Sequence, residues 1–323
     1  MPHILVAGKI HEAGVVLLKS ATGITFELIE DVSLDSYAPL APKADALVIR
    51  TQPLTAAVIG NAVRLKIVSR HGVGYDAVDI PALNARGIPL TIVGDVNSRA
   101  VAEHAVMLML ATARNIVAHD AATRSGDWPV RNRFETTELD GKKLLLFGFG
   151  RIGRRVARLA KAFDMDVLAY DPFGTARIFK DHGVKFVADL DHALGVADYV
   201  TLHMPGSGSG PVLGARELAL LKNTAIVINT ARGDLIDELA LDAALQGGRL
   251  AAAGLDVFAA EPPGKNNPLL NNPRVTLSPH SAGLTDETAA RMAIASVQNV
   301  LDFFAGKLDP QVVVNAGDIA FPR

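Results

Sequence analysis

Short β-branched runs alternate with helix-like segments along the whole chain, and this alternation limits the fold more than any other feature. Apolar stretches near residues 3–7, 25–29, 46–49, 66–69 and 89–93 are separated by helical patterns that include 12–20, 54–62 and 79–86. A second series starts at "KKLLLF" (142–147) and continues through "DVLAY" (166–170), "YVTLH" (199–203) and "AIVIN" (225–229). The segments "AAAGLDVF" and "VTLSPH" close it. Strands joined by helical crossovers must run parallel, with both faces of the sheet covered. Two such series predict two α/β domains, each a doubly wound parallel sheet.

The boundaries follow from two helix starts. At "DVNSR" the pattern changes to "AVAEHAVMLMLATARNI", about four helical turns with Ser98 as a candidate N-cap. This helix, about 99–115, reads as apolar nearly all round (Val101, Ala105, Val106, Met107, Leu108, Met109, Leu110), which implies burial in a core or against a partner. Near residue 284, Thr285 followed by Asp286 and Glu287 marks a second start. Ala289, Ala293, Val297, Val300, Leu301 and Phe304 then recur at helical spacing, and Gly306 ends the run. The last helix is expected to return to the first domain. That makes 99–284 a nucleotide domain inserted in a discontinuous substrate domain, 1–98 with 285–323.

Composition narrows the function classes. A net charge of −2 without a basic block gives no phosphate-tracking surface for nucleic acid. The absence of cysteine excludes disulfides, thiol nucleophiles and thiolate metal sites, and no metal site is expected. The start "MPHILVAGKI" lacks the charged leader and apolar run of a signal peptide, and no segment reaches membrane-spanning length, so a soluble cytoplasmic protein is expected.

The strongest local signal is "LLLFGFGRIGRRVARLAKAFDMDVLAYDP". Gly148, Gly150 and Gly153 follow a strand pattern and precede a helix. They suit a tight turn, the close approach of a pyrophosphate, and helix–strand contact respectively. Unpaired N–H groups at the helix start favour the anion. Asp171 closes the next strand, where a carboxylate accepts hydrogen bonds from an adenosine ribose. Nicotinamide chemistry also needs a substrate clamp and a proton relay near the carboxyl ends of later strands. Arg232 after "AIVIN", Glu261 in "GLDVFAAEPP" and His280 in "LSPHSAG" are the candidates. A guanidinium binds a carboxylate through two parallel bonds, an imidazole transfers a proton, and a carboxylate supports the imidazolium.

With "GFGRIG…YDP", "NTARGDLIDE", "GLDVFAAEP" and "SPHSAG" in this order, the chain resembles the D-isomer-specific 2-hydroxyacid dehydrogenases, whose members include phosphoglycerate, hydroxypyruvate, D-lactate and glyoxylate enzymes. "SRHGVGYDAVDIPALNARGI" and "VNSRAVAEHAVMLMLATAR" extend the likeness over nearly the whole chain. The resemblance implies NAD as cofactor, a small 2-oxo or 2-hydroxy acid as substrate, and catalysis by Arg232, Glu261 and His280. It also implies substrate contacts at Val73, Gly74 and Arg50, with His71 a further candidate for a substrate phosphate. Cofactor contacts carry over to Arg151, Ile152, Pro205, Thr230, Asp256 and Gly283, and by looser matching to Ser98. A cleft between the domains that closes on the substrate and a two-fold dimer through the 99–115 helix and the Trp128 loop are also implied. Many members have a glycine where this chain has Leu146, and the chain stops soon after Phe304, so amino-acid feedback inhibition is not expected. The alternative is a nicotinamide-sensing regulator on the same fold, which the complete Arg, Glu and His set disfavours. Formate dehydrogenases lack the supporting Glu, and phosphite dehydrogenases carry Lys in place of Val73.

Overall fold

The computed structural model describes residues 1–321 apart from Ser207 and Ser209; Pro322 and Arg323, at the end of the expected substrate domain, lie outside the described residues. The chain divides into two compact units, Met1–Asn97 with Leu284–Arg323, and Ser98–Gly283.

In the first unit the elements run β1 (His3–Ala7), α1 (Glu12–Ser20), β2 (Thr25–Ile29), α2 (Leu34–Tyr37), β3 (Ala46–Ile49), α3 (Ala56–Asn61), β4 (Ile67–Arg70), α4 (Ile80–Ala85) and β5 (Leu90–Thr91). Among the described residues they form a five-stranded, all-parallel sheet of order β2-β1-β3-β4-β5. The central strands β1 and β3 are apolar on both faces and almost wholly buried, as an interior parallel strand must be. The edge strand β2 is half-exposed.

The second unit contains α5 (Ser98–Ala113), α6 (Ile116–Ser125), β6 (Lys143–Phe147), α7 (Arg151–Lys161), β7 (Asp166–Tyr170), α8 (Ala176–Asp181), β8 (Lys185–Phe186), α9 (Leu190–Val196), β9 (Tyr199–Leu202), α10 (Ala215–Leu220), β10 (Ile226–Asn229), α11 (Glu238–Gln246), β11 (Ala252–Leu255) and β12 (Val275–Leu277). Its sheet, seven-stranded among the described residues and again all parallel, has the order β12-β11-β10-β9-β6-β7-β8. The order reverses direction beside β6, where β7 and β9 flank it. In open sheets of this kind that switch opens a crevice at the carboxyl ends of the strands. Helices α5 and α7 cover one face and α9, α10 and α11 the other, each over its own apolar cluster. Leu146, the departure from the glycine of many relatives, is a fully buried strand residue within the first of these clusters.

The chain returns to the first unit through α12 (Asp286–Phe304). Thr285 caps it by accepting the Thr288 N–H at 3.2 Å, with Asp286 and Glu287 at the positive end of the helix dipole. Ala293, Val297 and Val300 pack with Ile4, Val6, Val48 and Ile67 in the core of that unit.

Three expectations need correction. The apolar helix does not run unbroken to 115: Asn115 adopts a left-handed conformation (φ 49°), and α6 leaves α5 at a bend of 55°. Nor is α5 buried all round, because Arg99, Glu103 and Met107 form an exposed stripe. Ser98 is the first residue of α5 rather than its cap, and its hydroxyl accepts a hydrogen bond from Arg155 Nε at 2.8 Å. The strand β8 escaped the sequence reading because two exposed residues at a sheet edge carry no burial pattern. No single helix among the described residues is long and apolar enough to cross a membrane.

Candidate active site

The glycine turn after β6 has one residue for each physical demand. Gly148 lies at φ +92°, and a Cβ there would stand 2.6 Å from the His203 carbonyl oxygen. A Cβ on Gly153 would stand 2.2 Å from the Gly148 oxygen, so α7 touches the turn only because that side chain is absent. A Cβ on Gly150 would meet no protein atom within 4 Å. The space beside Gly150 is therefore open, at the N-terminus of an 11-residue helix whose cap position has no side-chain hydrogen bond. Arg151 is exposed and Ile152 half-buried in the first turn. This is a cradle for an anionic diphosphate.

Asp171 follows β7 directly and ties its end to the glycine turn. Oδ2 accepts the Phe149 N–H at 2.8 Å, and Oδ1 accepts the Phe173 N–H at 2.9 Å. Each oxygen keeps a further lone pair for a ribose hydroxyl. Thr230, beyond the end of β10, has a buried hydroxyl oxygen without a hydrogen-bond partner. Pro205 is exposed in the turn after β9, and Gly283 is half-buried at the end of the unit. Open space at Gly150, a free helix end, an acceptor at Asp171 and the unpartnered Thr230 hydroxyl together fit a dinucleotide.

The reacting side chains stand at the carboxyl ends of β10, β11 and β12. After β10, Asn229 shapes the turn: its Nδ2 donates to the Arg232 carbonyl (2.7 Å), and its Oδ1 accepts the Ala231 N–H (3.0 Å). Gly233 then lets this turn press on the backbone of Phe258 and Ala259, where a Cβ would lie 1.8 Å from the Phe258 carbonyl carbon. The segment carrying Glu261 is thereby held beside Arg232. Arg232 is half-buried, and its Nη1 donates to the Ala231 carbonyl at 2.6 Å.

Glu261 Oε1 accepts the Phe258 N–H at 3.0 Å, leaving Oε2 for His280 Nδ1 at 2.6 Å. The His280 side chain remains 50% exposed, so its Nε2 face is open to a substrate. The hydrogen bond to Glu261 raises the His280 pKa; burial and the Arg232 charge oppose this, while the Glu261 and Asp256 charges add to it. Burial by itself would raise the Glu261 carboxyl. The hydrogen bonds from His280 and the Phe258 N–H, with the charges of His280 and Arg232, outweigh it and hold the carboxyl below its usual range. The contact thus raises the His280 pKa and lowers that of Glu261, within reach of a guanidinium.

Asp256 is fully buried, and its carboxylate is turned into the loop that bears His280 rather than toward open space. Oδ1 accepts from Ser278 Oγ and the Ser281 N–H, and Oδ2 from the Ala282 N–H. The sequence reading missed Asn229, Ser278 and His104, which complete these turns. The available signal was a single histidine in the otherwise apolar "AVAEHAVMLML".

The remaining substrate candidates lie in the first unit, at the carboxyl edge of its own sheet. Val73 and Gly74, in the loop after β4, have N–H groups that no acceptor among the described residues takes. Arg50, after β3, donates from Nη1 to the Lys9 carbonyl at 2.7 Å, and burial lowers its pKa. His71, whose role as a phosphate contact or a structural residue the sequence leaves open, directly follows β4. It is 6% exposed, and burial, reinforced by the Arg50 and Arg70 charges, pushes its pKa down to about 4, so it is neutral near pH 7.

This combination of glycine cradle, ribose acceptor and Arg–Glu–His set at the strand ends defines a nicotinamide-dinucleotide dehydrogenase architecture. Residues 106–282 match the model of the D-isomer specific 2-hydroxyacid dehydrogenase NAD binding domain. D-3-phosphoglycerate dehydrogenase of Methanocaldococcus jannaschii is 38% identical over 97% of this chain and 59% of its own length. Glyoxylate reductase of Korarchaeum cryptofilum is 36% identical over 97% of this chain and 96% of its own. The solved structure of NADPH-dependent glyoxylate/hydroxypyruvate reductase of Sinorhizobium meliloti, in complex with citrate, superimposes with a TM-score of 0.86 at 30% identity, covering 100% of both chains. The chain belongs to the D-isomer specific 2-hydroxyacid dehydrogenase family. It spans between about half and six-tenths of the length of the phosphoglycerate dehydrogenases it matches.

Proposed function

We propose that the protein interconverts a small 2-oxo acid and the corresponding D-2-hydroxy acid with NAD(H), acting on hydroxypyruvate, glyoxylate or the phosphoglycerate pair. The observation that carries this reading is the His280–Glu261 contact of 2.6 Å, with Arg232 held beside it at the strand ends. Bound NADH supplies the hydride for C2. Arg232 clamps the substrate carboxylate and polarises the keto oxygen. Because Nδ1 is committed to Glu261, the proton that His280 delivers to the keto oxygen sits on Nε2. In oxidation, neutral His280 takes that proton back. The units Met1–Asn97 with Leu284–Arg323 and Ser98–Gly283 act as substrate and nucleotide domains.

Family membership supports a cytoplasmic metabolic enzyme. We also propose a homodimer through α5, α6 and the Trp128 segment, where Met107, Ile116, Val117, Trp128 and Phe134 are exposed apolar side chains. Light scattering should give twice the chain mass at micromolar concentration; a fully active monomer would exclude this interface. The central test is a panel of 2-oxo acids with NADH, ranked by kcat/KM. Turnover of none, by protein that binds NADH, would overturn the assignment.

A further inference from the structure

The loop that presents His280 is fastened at several points. Asp256 accepts from Ser278 Oγ (2.5 Å), the Ser281 N–H (2.9 Å) and the Ala282 N–H (2.9 Å), and its backbone carbonyl accepts the His280 N–H (2.7 Å). His280 itself adopts a left-handed backbone conformation, φ 51°. A non-glycine residue holds that conformation at a cost, so the surrounding bonds must enforce it.

A count of protons identifies the anchor. Ser278 Oγ donates its only hydroxyl hydrogen to Asp256 Oδ1. His104 Nε2 lies 2.8 Å from the same Ser278 oxygen and therefore has to be the donor in that contact. His104 Nε2 therefore carries a hydrogen. The same nitrogen is 3.5 Å from Asp256 Oδ1, adding a polar group beside a carboxylate that is 0% exposed. His104 projects from α5, whose Ala102, Ala105, Leu108 and Met109 are locked in the core. The donor chain His104 → Ser278 → Asp256 thus joins a rigid core helix to a strained loop.

We infer that His104 is a positioning residue: its Nε2–H holds Ser278, and through it the loop, in the one arrangement that sets His280 against Glu261. The inference rests on the reading of His280 as the acid and base of the proposed reaction. A histidine that only filled space would tolerate any substitution that keeps the fold; an obligatory donor would not.

The experiment compares His104→Ala, His104→Asn and His104→Gln. Glutamine carries an amide nitrogen at about the reach of Nε2, whereas asparagine is one methylene too short. Two readouts are taken, kcat and KM for whichever 2-oxo acid the wild type reduces, and the His280 titration followed by NMR on ring-labelled protein. Misplacing a catalytic group by about 1 Å costs up to about 100-fold. His104→Ala and His104→Asn should therefore lose about 10- to 100-fold in kcat with little change in NADH KM. In both, the His280 pKa should fall toward the ordinary histidine value as the Glu261 contact loosens. His104→Gln should restore both quantities to within about threefold and to near the wild-type titration. A folded His104→Ala protein with wild-type kcat and an unmoved His280 titration overturns the inference. If His104→Ala does not fold, equal behaviour of His104→Gln and His104→Asn overturns it instead. Should the wild type reduce no 2-oxo acid, the functional reading fails, while the His280 titration still decides the role of His104.

Discussion

Substituting alanine at two glycines three residues apart, Gly150 and Gly153, separates cofactor binding from folding. Gly150 has φ −74° and ψ −154°, which alanine adopts without strain, and its Cβ would meet no protein atom within 4 Å. Removing glycine's extra freedom from the unfolded chain is worth about 0.4–1 kcal/mol, so Gly150→Ala should melt at or slightly above the wild-type temperature. The methyl would occupy the space expected for the diphosphate. Loss of one charge-assisted hydrogen bond, about 1.5–3 kcal/mol, corresponds to roughly a 10- to 100-fold rise in the NADH Kd. Gly153→Ala should behave oppositely. Its Cβ starts 2.2 Å from the Gly148 oxygen, while contacts under 3.0 Å essentially never occur, and the obstacle is backbone that cannot swing away. Helix propensity returns about 1 kcal/mol, against overpacking of about 3 kcal/mol or more for a rigid obstacle. A net loss of about 2 kcal/mol should lower the melting temperature. NADH titration by fluorescence and thermal melts of both variants provide the test. A Gly150→Ala protein that binds NADH as tightly as wild type would show that the open side of this turn is not the diphosphate cradle.

Three further outcomes are expected. Arg232→Lys should lower kcat/KM for the 2-oxo acid by about 2–4 kcal/mol of transition-state stabilisation, with NADH affinity barely changed, because an ammonium lacks the two-pronged carboxylate geometry; a value within twofold of wild type would remove Arg232 from the mechanism. The raised His280 pKa means that oxo-acid reduction, which needs the protonated ring, is retained at low pH and lost as pH rises through that value. Glu261→Gln removes the charge that raises it and should move the fall in rate to lower pH; an unchanged kcat/KM profile would uncouple the two residues. NADH should be preferred over NADPH by at least about tenfold, because a 2′-phosphate near 4 Å from Asp171 meets a gross repulsion of roughly 4 kcal/mol per charge pair at a dielectric near 20, and tenfold requires only about 1.4. Arg177, the first cation after Asp171, is turned to Asp181 at 3.5 Å and is 90% exposed. Asp171→Ser should narrow the preference through the cofactor KM, and equal kcat/KM for the two cofactors in the wild type would defeat the reasoning.

Local chemistry was legible in the sequence wherever a backbone demand leaves only one residue type. A Cβ at Gly148 would stand 2.6 Å from the His203 carbonyl oxygen, so only glycine fits there and the cradle can be read from residue spacing. Interior parallel strands such as "KLLLF" and "IVIN" must be apolar on both faces, so the alternation of strand and helix is written in composition. Thr285 with Asp286 and Glu287 announced α12 because a helix start needs acceptors for its free N–H groups.

Other features depend on distances between residues far apart in the chain, and only the tertiary structure decides them. Nothing local tells that Asn115 turns left-handed and splits the apolar helix, or that Met107 faces outward while Met109 is buried. The sequence leaves the role of His71 open, and burial beside two arginines pushes its pKa down to about 4. Asp256 reads as a residue that could face a ligand, yet packing commits both its oxygens to the loop of His280. His104 and Ser278 are 174 residues apart, and only the seating of α5 against the sheet brings them to 2.8 Å. Burial and partner geometry set charge state and orientation, and both belong to the packed chain rather than to any segment of it.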